Sequence, residues 1–424
     1  MQKLKLIRNP YLIFFPFLVL FILLVFKQHT DVMEGDESGY IYFAKNLLQG
    51  FYSPPAPDIN LWWGPGYPIL LMPFIALGLP LICITLMNAV FQYLSVVLLF
   101  KAISQFVDFR KALLFSLFWA FCYSSYQYMS VIYTESFTIF LISLLIYSIV
   151  NAFNVQINKY LFLSGFILGY IALTKVMFGY VIMFLFIRSV VLWVYNRKAD
   201  NYKKSALIMM IAFTTVMPYL IYTYNLTGRV FYWGNSGGIS LYWMSTPFEN
   251  EYGNWNNESL TLKGIDRDKA GTPHPLLKLN HQKVIDEVSK YKGAQKDDMY
   301  KKIAFKNIKA HPEKYIKNII TNISNSLFGF PISYTYQIPI LKIWYFSILY
   351  TMMIFCSIPT ILNWRKIPNS LRFLLLFTFI YLVGSSLVSG ANRQFIIIVP
   401  VLLFWIAYII HKSMIVNFKL EKKS

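Results

Sequence analysis

The sequence predicts an all-α polytopic membrane protein of about ten membrane-spanning helices, with both termini cytoplasmic and outer loops that bear short surface helices. Three observations carry that prediction. Hydrophobic residues make up 57% of the 424 residues and charged residues only 14%, well below the roughly 25% charged fraction of a soluble domain. Apolar runs of about 20 residues, the length needed to span a bilayer, recur along the chain. The cations fall into alternate connections between those runs, as the positive-inside bias requires.

The chain opens with Lys3, Lys5 and Arg8 ahead of an apolar run from Pro10 to Phe26. No small-residue cleavage site ends that run, since Phe26-Lys27-Gln28-His29 follows, so it reads as a retained first span. Further spans are predicted near 80–100, 112–130, 134–153, 159–174, 176–195, 205–224, 339–362, 370–388 and 394–411. The apolar piece from Tyr67 to Gly78 is too short and too proline-broken to cross, and is expected to be re-entrant or interfacial.

With the N-terminus inside, the even-numbered connections hold Lys101, Arg110 and Lys111, then Lys159, then Arg188, Arg197, Lys198, Lys203 and Lys204. Arg365, Lys366 and Arg372 follow, and Lys412, Lys419, Lys422 and Lys423 close the chain. The net charge of +20 is therefore read as cytoplasmic loops and contact with anionic headgroups. Nucleic acid is not expected as a partner; membrane lipids are. Cys83, Cys122 and Cys356 lie within apolar runs and form no CxxC pair, so they read as packing residues.

Two long outer pieces remain, 27–79 and 225–338, with short outer turns at Tyr133-Thr134-Glu135, Thr174-Lys175 and Asn392-Arg393. Ionisable groups thus gather in one layer at the outer interface. Pumps and ion-coupled carriers use charges near mid-membrane instead, and apart from Arg188 the predicted spans lack them there. A lipid-linked sugar flippase or other transporter is accordingly the weaker reading. The piece 225–338 is expected to be a lid of loops and surface helices. It holds a turn-prone Gly234-Asn235-Ser236-Gly237-Gly238 and a helix from Asp297 to Asn318 interrupted near Pro312. The segment 339–424 supplies the C-terminal spans.

Chemistry is expected where the first outer loop begins. Asp36-Glu37 opens a short amphipathic helix through Tyr40 to Leu48. A carboxylate can act as general base if it reaches an acceptor hydroxyl; the alternative for Asp36 is a solvated acid favoured by a helix N-terminus. Glu135 is a second acid on the same side, and it equally suits a helix start. Lys175, Arg229 and Arg393 are outer cations, which suits a phosphate at headgroup level or snorkelling to lipid phosphates. His274 and His281 lack the partners of a zinc set, so no metal and no cofactor is called for, and a divalent-cation site is not supported. There is no P-loop, GxSxG or dinucleotide fingerprint.

These residues resemble the GT-C superfamily of membrane glycosyltransferases, in particular the protein O-mannosyltransferase and aminoarabinose-transferase types. The likeness lies in Asp36-Glu37-x-x-Tyr40-x-x-x-Ala44-x-x-Leu47-x-x-Gly50 followed by Gly64-Pro65-Gly66-Tyr67-Pro68, and in Tyr133-Thr134-Glu135 and Thr174-Lys175. It continues in Tyr224-Asn225-x-x-Gly228, in His311-Pro312-x-x-Tyr315 and in Arg393-Gln394-Phe395 through Pro400, where the family often has Tyr at the position of Gln394.

The resemblance implies inverting transfer of a sugar from a polyprenyl-phosphate donor to a glycan, lipid or protein acceptor at the outer face of the plasma membrane. It implies Asp36 as catalytic base and Glu135 as a second catalytic acid that orients its neighbours. Glu37, Tyr40, Lys175, Arg229 and Arg393 would bind substrate, with Lys175 and Arg393 on the carrier phosphate. A polysaccharide polymerase or ligase using the same carrier is the alternative enzyme reading.

Overall fold

The computed structural model describes residues 9–33, 35–154, 158–196, 199–256, 258, 274–328 and 340–413. Lys3, Lys5, Arg8, Arg197, Lys198, Lys419, Lys422 and Lys423, cited above for topology, lie outside the described residues, as does the side chain of His274. The principal elements are all helices. They are α1 (Phe15–Gln28), α2 (Glu37–Leu48), α3 (Gly66–Ala76), α4 (Leu81–Ile103), α5 (Phe109–Ala120), α6 (Glu135–Asn154), α7 (Asn158–Thr174) and α8 (Met177–Tyr195). After them come α9 (Asp200–Thr227), α10 (Gly237–Met244), α11 (His274–Val288), α12 (Gly293–Ala310), α13 (Pro312–Phe328), α14 (Ile340–Leu362), α15 (Asn369–Val388) and α16 (Val399–Ser413).

Among the described residues six helices are long and apolar enough to cross a membrane: α4, α6, α8, α9, α14 and α15. The protein is thus an all-α polytopic membrane protein. Of the other four predicted spans, 159–174 is one unbroken helix of 17 residues, and local chemistry explains the breaks in the remaining three. Pro16 stands in the first turn of α1, so the apolar run divides at Phe14 into Pro10–Ile13 and α1. Pro400 similarly separates α16 from the short helix Asn392–Ile396. The predicted span 112–130 fails as one helix. α5 has 12 residues, about 18 Å at the usual helical rise, and a four-residue helix Tyr123–Tyr126 follows. There Ser125 donates its hydroxyl to the Cys122 carbonyl at 2.7 Å and accepts from Gln92 Nε2 at 2.7 Å. Such side-chain bonds compete with the helical ladder.

The two ends of the bundle carry different residues. At one end Lys111 of α5 meets His411 of α16 at 3.3 Å, and Lys101 lies over the Tyr11 and Tyr147 rings. These are residues assigned above to one side of the membrane. The turns assigned to the other side meet at the opposite end, described below.

The outer segment has its own small apolar cluster, with Ile239, Tyr242, Trp243, Leu277, Val288, Tyr300 and Ala304 buried together. The expected interruption near Pro312 is observed: α12 ends at Ala310, and Pro312 opens α13 with Glu313 in its first turn, a favourable pairing with the helix dipole. The expected loop at Gly234–Gly238 is shorter than predicted, because Gly237 and Gly238 start α10. The buried Asp297 carboxylate accepts from the Gly238 N–H at 2.5 Å and satisfies that helix terminus. α9 ends at Gly228, which adopts φ 70° and sends its N–H to the Tyr224 carbonyl, a left-handed cap that glycine takes without strain.

A row of asparagines at i, i+4, i+7 on α13 ties the outer segment to the bundle. Asn318 Nδ2 donates to the Met244 and Thr246 carbonyls at 3.0 and 3.2 Å. Asn322 donates to the Ser386 carbonyl at 2.9 Å, and Asn325 to the Gly390 carbonyl at 2.7 Å. The last carbonyls of a helix have no intrahelical partner; here α13 serves those of α15 and fixes the chain leading into Arg393.

Candidate active site

Asp36 occupies the N-cap position of α2, yet its side chain makes no capping bond. Its Oδ2 instead accepts from Arg393 Nη1 at 3.0 Å. Arg393 also brings Nε to 3.9 Å from Glu135 Oε1 and lies 5.7 Å over the Tyr133 ring. Glu135 Oε1 in turn accepts from Lys175 Nζ at 3.1 Å. Four residues from three predicted outer turns and the first outer loop therefore form one chain of alternating charge, Asp36–Arg393–Glu135–Lys175.

Each member is positioned by its neighbours. Glu37 is buried, and its Oε1 accepts from the Ile132 N–H at 2.6 Å, which clamps the start of α2 to the chain leading into α6. Asn88 of α4 holds the same stretch by donating to the Met129 and Val131 carbonyls at 3.2 and 3.0 Å. The turn that carries Lys175 is packed by Gly64 and Gly66. A Cβ on Gly64 would stand 2.1 Å from the Leu173 carbonyl oxygen, and one on Gly66 2.6 Å from Thr174 Oγ1. The Gly64-Pro65-Gly66 motif thus needs glycine for close backbone approach.

Burial separates the roles. Side-chain exposure is 27% for Asp36 and 37% for Arg393, but 1% for Glu135 and 17% for Lys175. A cavity of about 1200 Å³ adjoins the chain of charges, lined by both Asp36 and Arg393. One wall runs between α8 and α15 and is apolar, with Met177, Tyr180, Val181, Phe184, Ile380 and Leu387. A second wall comes from the segments 27–79 and 225–338 and carries Trp62, Asn254, Trp255, Asn256, Lys301 and Asn325.

Of the expected site residues, Asp36 and Arg393 line the cavity, while Glu37, Tyr40, Glu135, Lys175 and Arg229 do not. Glu37 does not reach the cavity and acts as a brace for the backbone. Tyr40 is buried against Trp63 and Tyr67, with ring centroids 5.3 and 5.2 Å away. Burial, and after it the Asp36 and Glu135 carboxylates, push its hydroxyl well above the ordinary range, so Tyr40 is a protonated part of the supporting wall. Lys175 is committed to Glu135 behind the cavity. Arg229 holds Asp298 with both terminal nitrogens, one at 2.7 Å, and lies over Tyr232 at 5.2 Å; its anion belongs to this chain, and it does not line the cavity.

The cavity's aromatic and amide residues escaped the sequence reading. The spacing of Asn318, Asn322 and Asn325 was a legible signal, since a polar stripe at helical period marks a face with partners. Among the described residues no group of three or more His, Cys, Asp or Glu side chains could hold a metal ion.

No family model matches this sequence, and no curated protein does. Among solved structures the chain is similar to ArnT from Cupriavidus metallidurans bound to undecaprenyl phosphate, at 12% identity and a TM-score of 0.40, over 95% of this chain and 77% of that one. The apo state of the same protein gives 12% identity and a TM-score of 0.40. The archaeal oligosaccharyltransferase AglB from Archaeoglobus fulgidus, in complex with an inhibitory peptide and a dolichol-phosphate, is similar at 13% identity and a TM-score of 0.45, over 94% of this chain. The chain spans 50% of the length of AglB.

Proposed function

We propose that the protein is a GT-C-type membrane glycosyltransferase that moves a sugar from a polyprenyl-phosphate donor to an acceptor hydroxyl at the outer face, with inversion. The observation that carries this reading is the Asp36–Arg393 pair at the wall of a cavity that is apolar on one side and polar on the other. The apolar wall between α8 and α15 suits an isoprenyl chain, which leaves the phosphate at the level of Arg393. The motifs shared with the superfamily support the same assignment.

In this reading the acceptor oxygen attacks the anomeric carbon as Asp36 takes its proton. The bond between that carbon and the phosphate oxygen breaks, and its electron pair leaves with the polyprenyl phosphate. Positive charge develops on the sugar as in other glycosyl transfers. Arg393 stabilises the departing phosphate. It is released from Asp36 as the phosphate arrives, which frees the carboxylate for the acceptor. Glu135 and Lys175 are positioning residues: the buried carboxylate aims Arg393, and Lys175 neutralises that carboxylate.

The test is transfer of radiolabel from polyprenyl-phosphate sugars in membranes that contain the protein. Asp36→Asn should lower the rate by about 10²–10⁴-fold, the span of general-base contributions. Transfer by Asp36→Asn at the wild-type rate overturns the base assignment. Comparing envelope glycans of a deletion strain by mass spectrometry identifies the sugar and its acceptor.

A further inference from the structure

The cavity wall supplied by the outer loops is built unlike the rest of the site. Among the described residues the only charged side chain it contributes is Lys301. That ammonium is held by the buried Asp297 carboxylate at 2.5 Å and lies 5.6 Å from the Tyr232 ring centroid. Among the described residues, a phosphorylated or acidic ligand would meet no free counter-charge on this wall.

Carboxamides stand there instead, and each has capacity left over. Asn325 uses Nδ2 on the Gly390 carbonyl and on Asn254 Oδ1. Asn256 uses Nδ2 on the Asn254 carbonyl. One end of each amide therefore has no partner among the described residues. An amide offers both donors and acceptors in fixed directions, which is the complement of a hydroxyl that does both. Beside them Trp62 and Trp255 meet edge to face, with centroids 6.4 Å apart, and Trp255 is 43% exposed. A partly exposed indole packs against flat apolar surface while its surroundings bind polar edges, as the C–H face and hydroxyl rim of a pyranose require.

We propose that this wall is a binding subsite for a neutral saccharide, so that the acceptor is a glycan and not a phosphorylated lipid or a peptide. The acceptor role rests on the transferase reading above; saccharide binding itself does not. A site built to bond hydroxyls discriminates strongly against ligands that lack them.

The experiment uses the full chain, labelled and held in nanodiscs without donor. It is applied to an array of neutral oligosaccharides, oligosaccharides bearing phosphate or uronate, and Ser/Thr-containing peptides. Binding to neutral glycans above both other classes is expected. Trp255→Ala and, separately, Asn256→Ala should each reduce it at least tenfold while the chromatographic profile stays that of the wild type. No glycan signal, preference for charged glycans or peptides, or full binding by both variants overturns the proposal. Displacement of the bound glycan by a polyprenyl-phosphate hexose would make this the donor-sugar subsite and overturn the acceptor assignment. Glycan binding that persists where no donor supports transfer leaves the subsite standing and sinks the transferase reading instead.

Discussion

Arg393 Nη1 lies 3.0 Å from Asp36 Oδ2, across 357 positions of sequence. The same guanidinium reaches Glu135 through Nε at 3.9 Å, so one planar fork faces two carboxylates of different burial. The planar fork fixes the direction of both contacts, whereas an ammonium bridges two acids only as a point charge with freely rotating donors. Arg393→Ala should reduce transfer by about 10²-fold or more, and Arg393→Lys should recover only part of it. Equal activity of the lysine variant in the radiolabel assay would show that charge alone suffices.

Glu135 is 1% exposed, and Lys175 is its nearest cation at 3.1 Å. With Lys175 removed, that buried carboxylate keeps only Arg393, 3.9 Å away, and losing one partner of a buried pair costs up to about 3–5 kcal/mol. Lys175→Met should therefore lower thermal stability in detergent strongly. The double variant with Glu135→Gln should regain most of the loss, because the stranded charge is gone. A double-mutant cycle checks this, and additive losses would mean the two residues do not act as a pair.

Gly64 offers no room for a methyl group, with the Leu173 carbonyl oxygen 2.1 Å from where a Cβ would sit. Gly64→Ala should destabilise the protein by about 1–3 kcal/mol, the range of forced overpacking, and displace the turn that carries Lys175. Thermal unfolding checks the first effect, and the rate of transfer by the folded fraction checks the second.

The outer segment contains an acid-sensitive clamp. Glu251 is buried and accepts from Asn280 Nδ2 and His281 Nε2, each at 2.8 Å, and from the Thr246 hydroxyl. Burial alone would raise its pKa, but the His281, Asn280 and Thr246 contacts together hold it below the ordinary value of 4.5. A carboxyl with a depressed folded-state pKa stabilises the fold above its unfolded value, and that stability is lost as pH falls through the folded value. The outer segment should therefore loosen below about pH 4.5. Near-UV circular dichroism follows it through Trp243, whose ring lies 4.5 Å from the His281 ring. Glu251→Gln should flatten that acid dependence.

The fold class was legible because hydrophobic runs and charge placement act locally: each run fixes a helix wherever its neighbours lie. Pro16, Pro312 and Pro400 mark breaks for the same local reason, though the first and last interrupted runs that composition alone made continuous. Residues 121–130 misled because Ser125 finds its partner, Gln92, on another helix.

Asp36, Glu135, Lys175 and Arg393 could be named from sequence, since charge is rare in an apolar chain and their turns share one predicted side. Their division of labour could not. Whether an acid faces a cavity or braces a backbone depends on which element packs over it, and that separated Asp36 from Glu37. It also removed Arg229, whose partner Asp298 lies 69 positions away. The sequence by itself determined a helical membrane protein with a layer of charges at one face. Only tertiary packing decided which of them meet, because pairing and burial belong to neighbours in space.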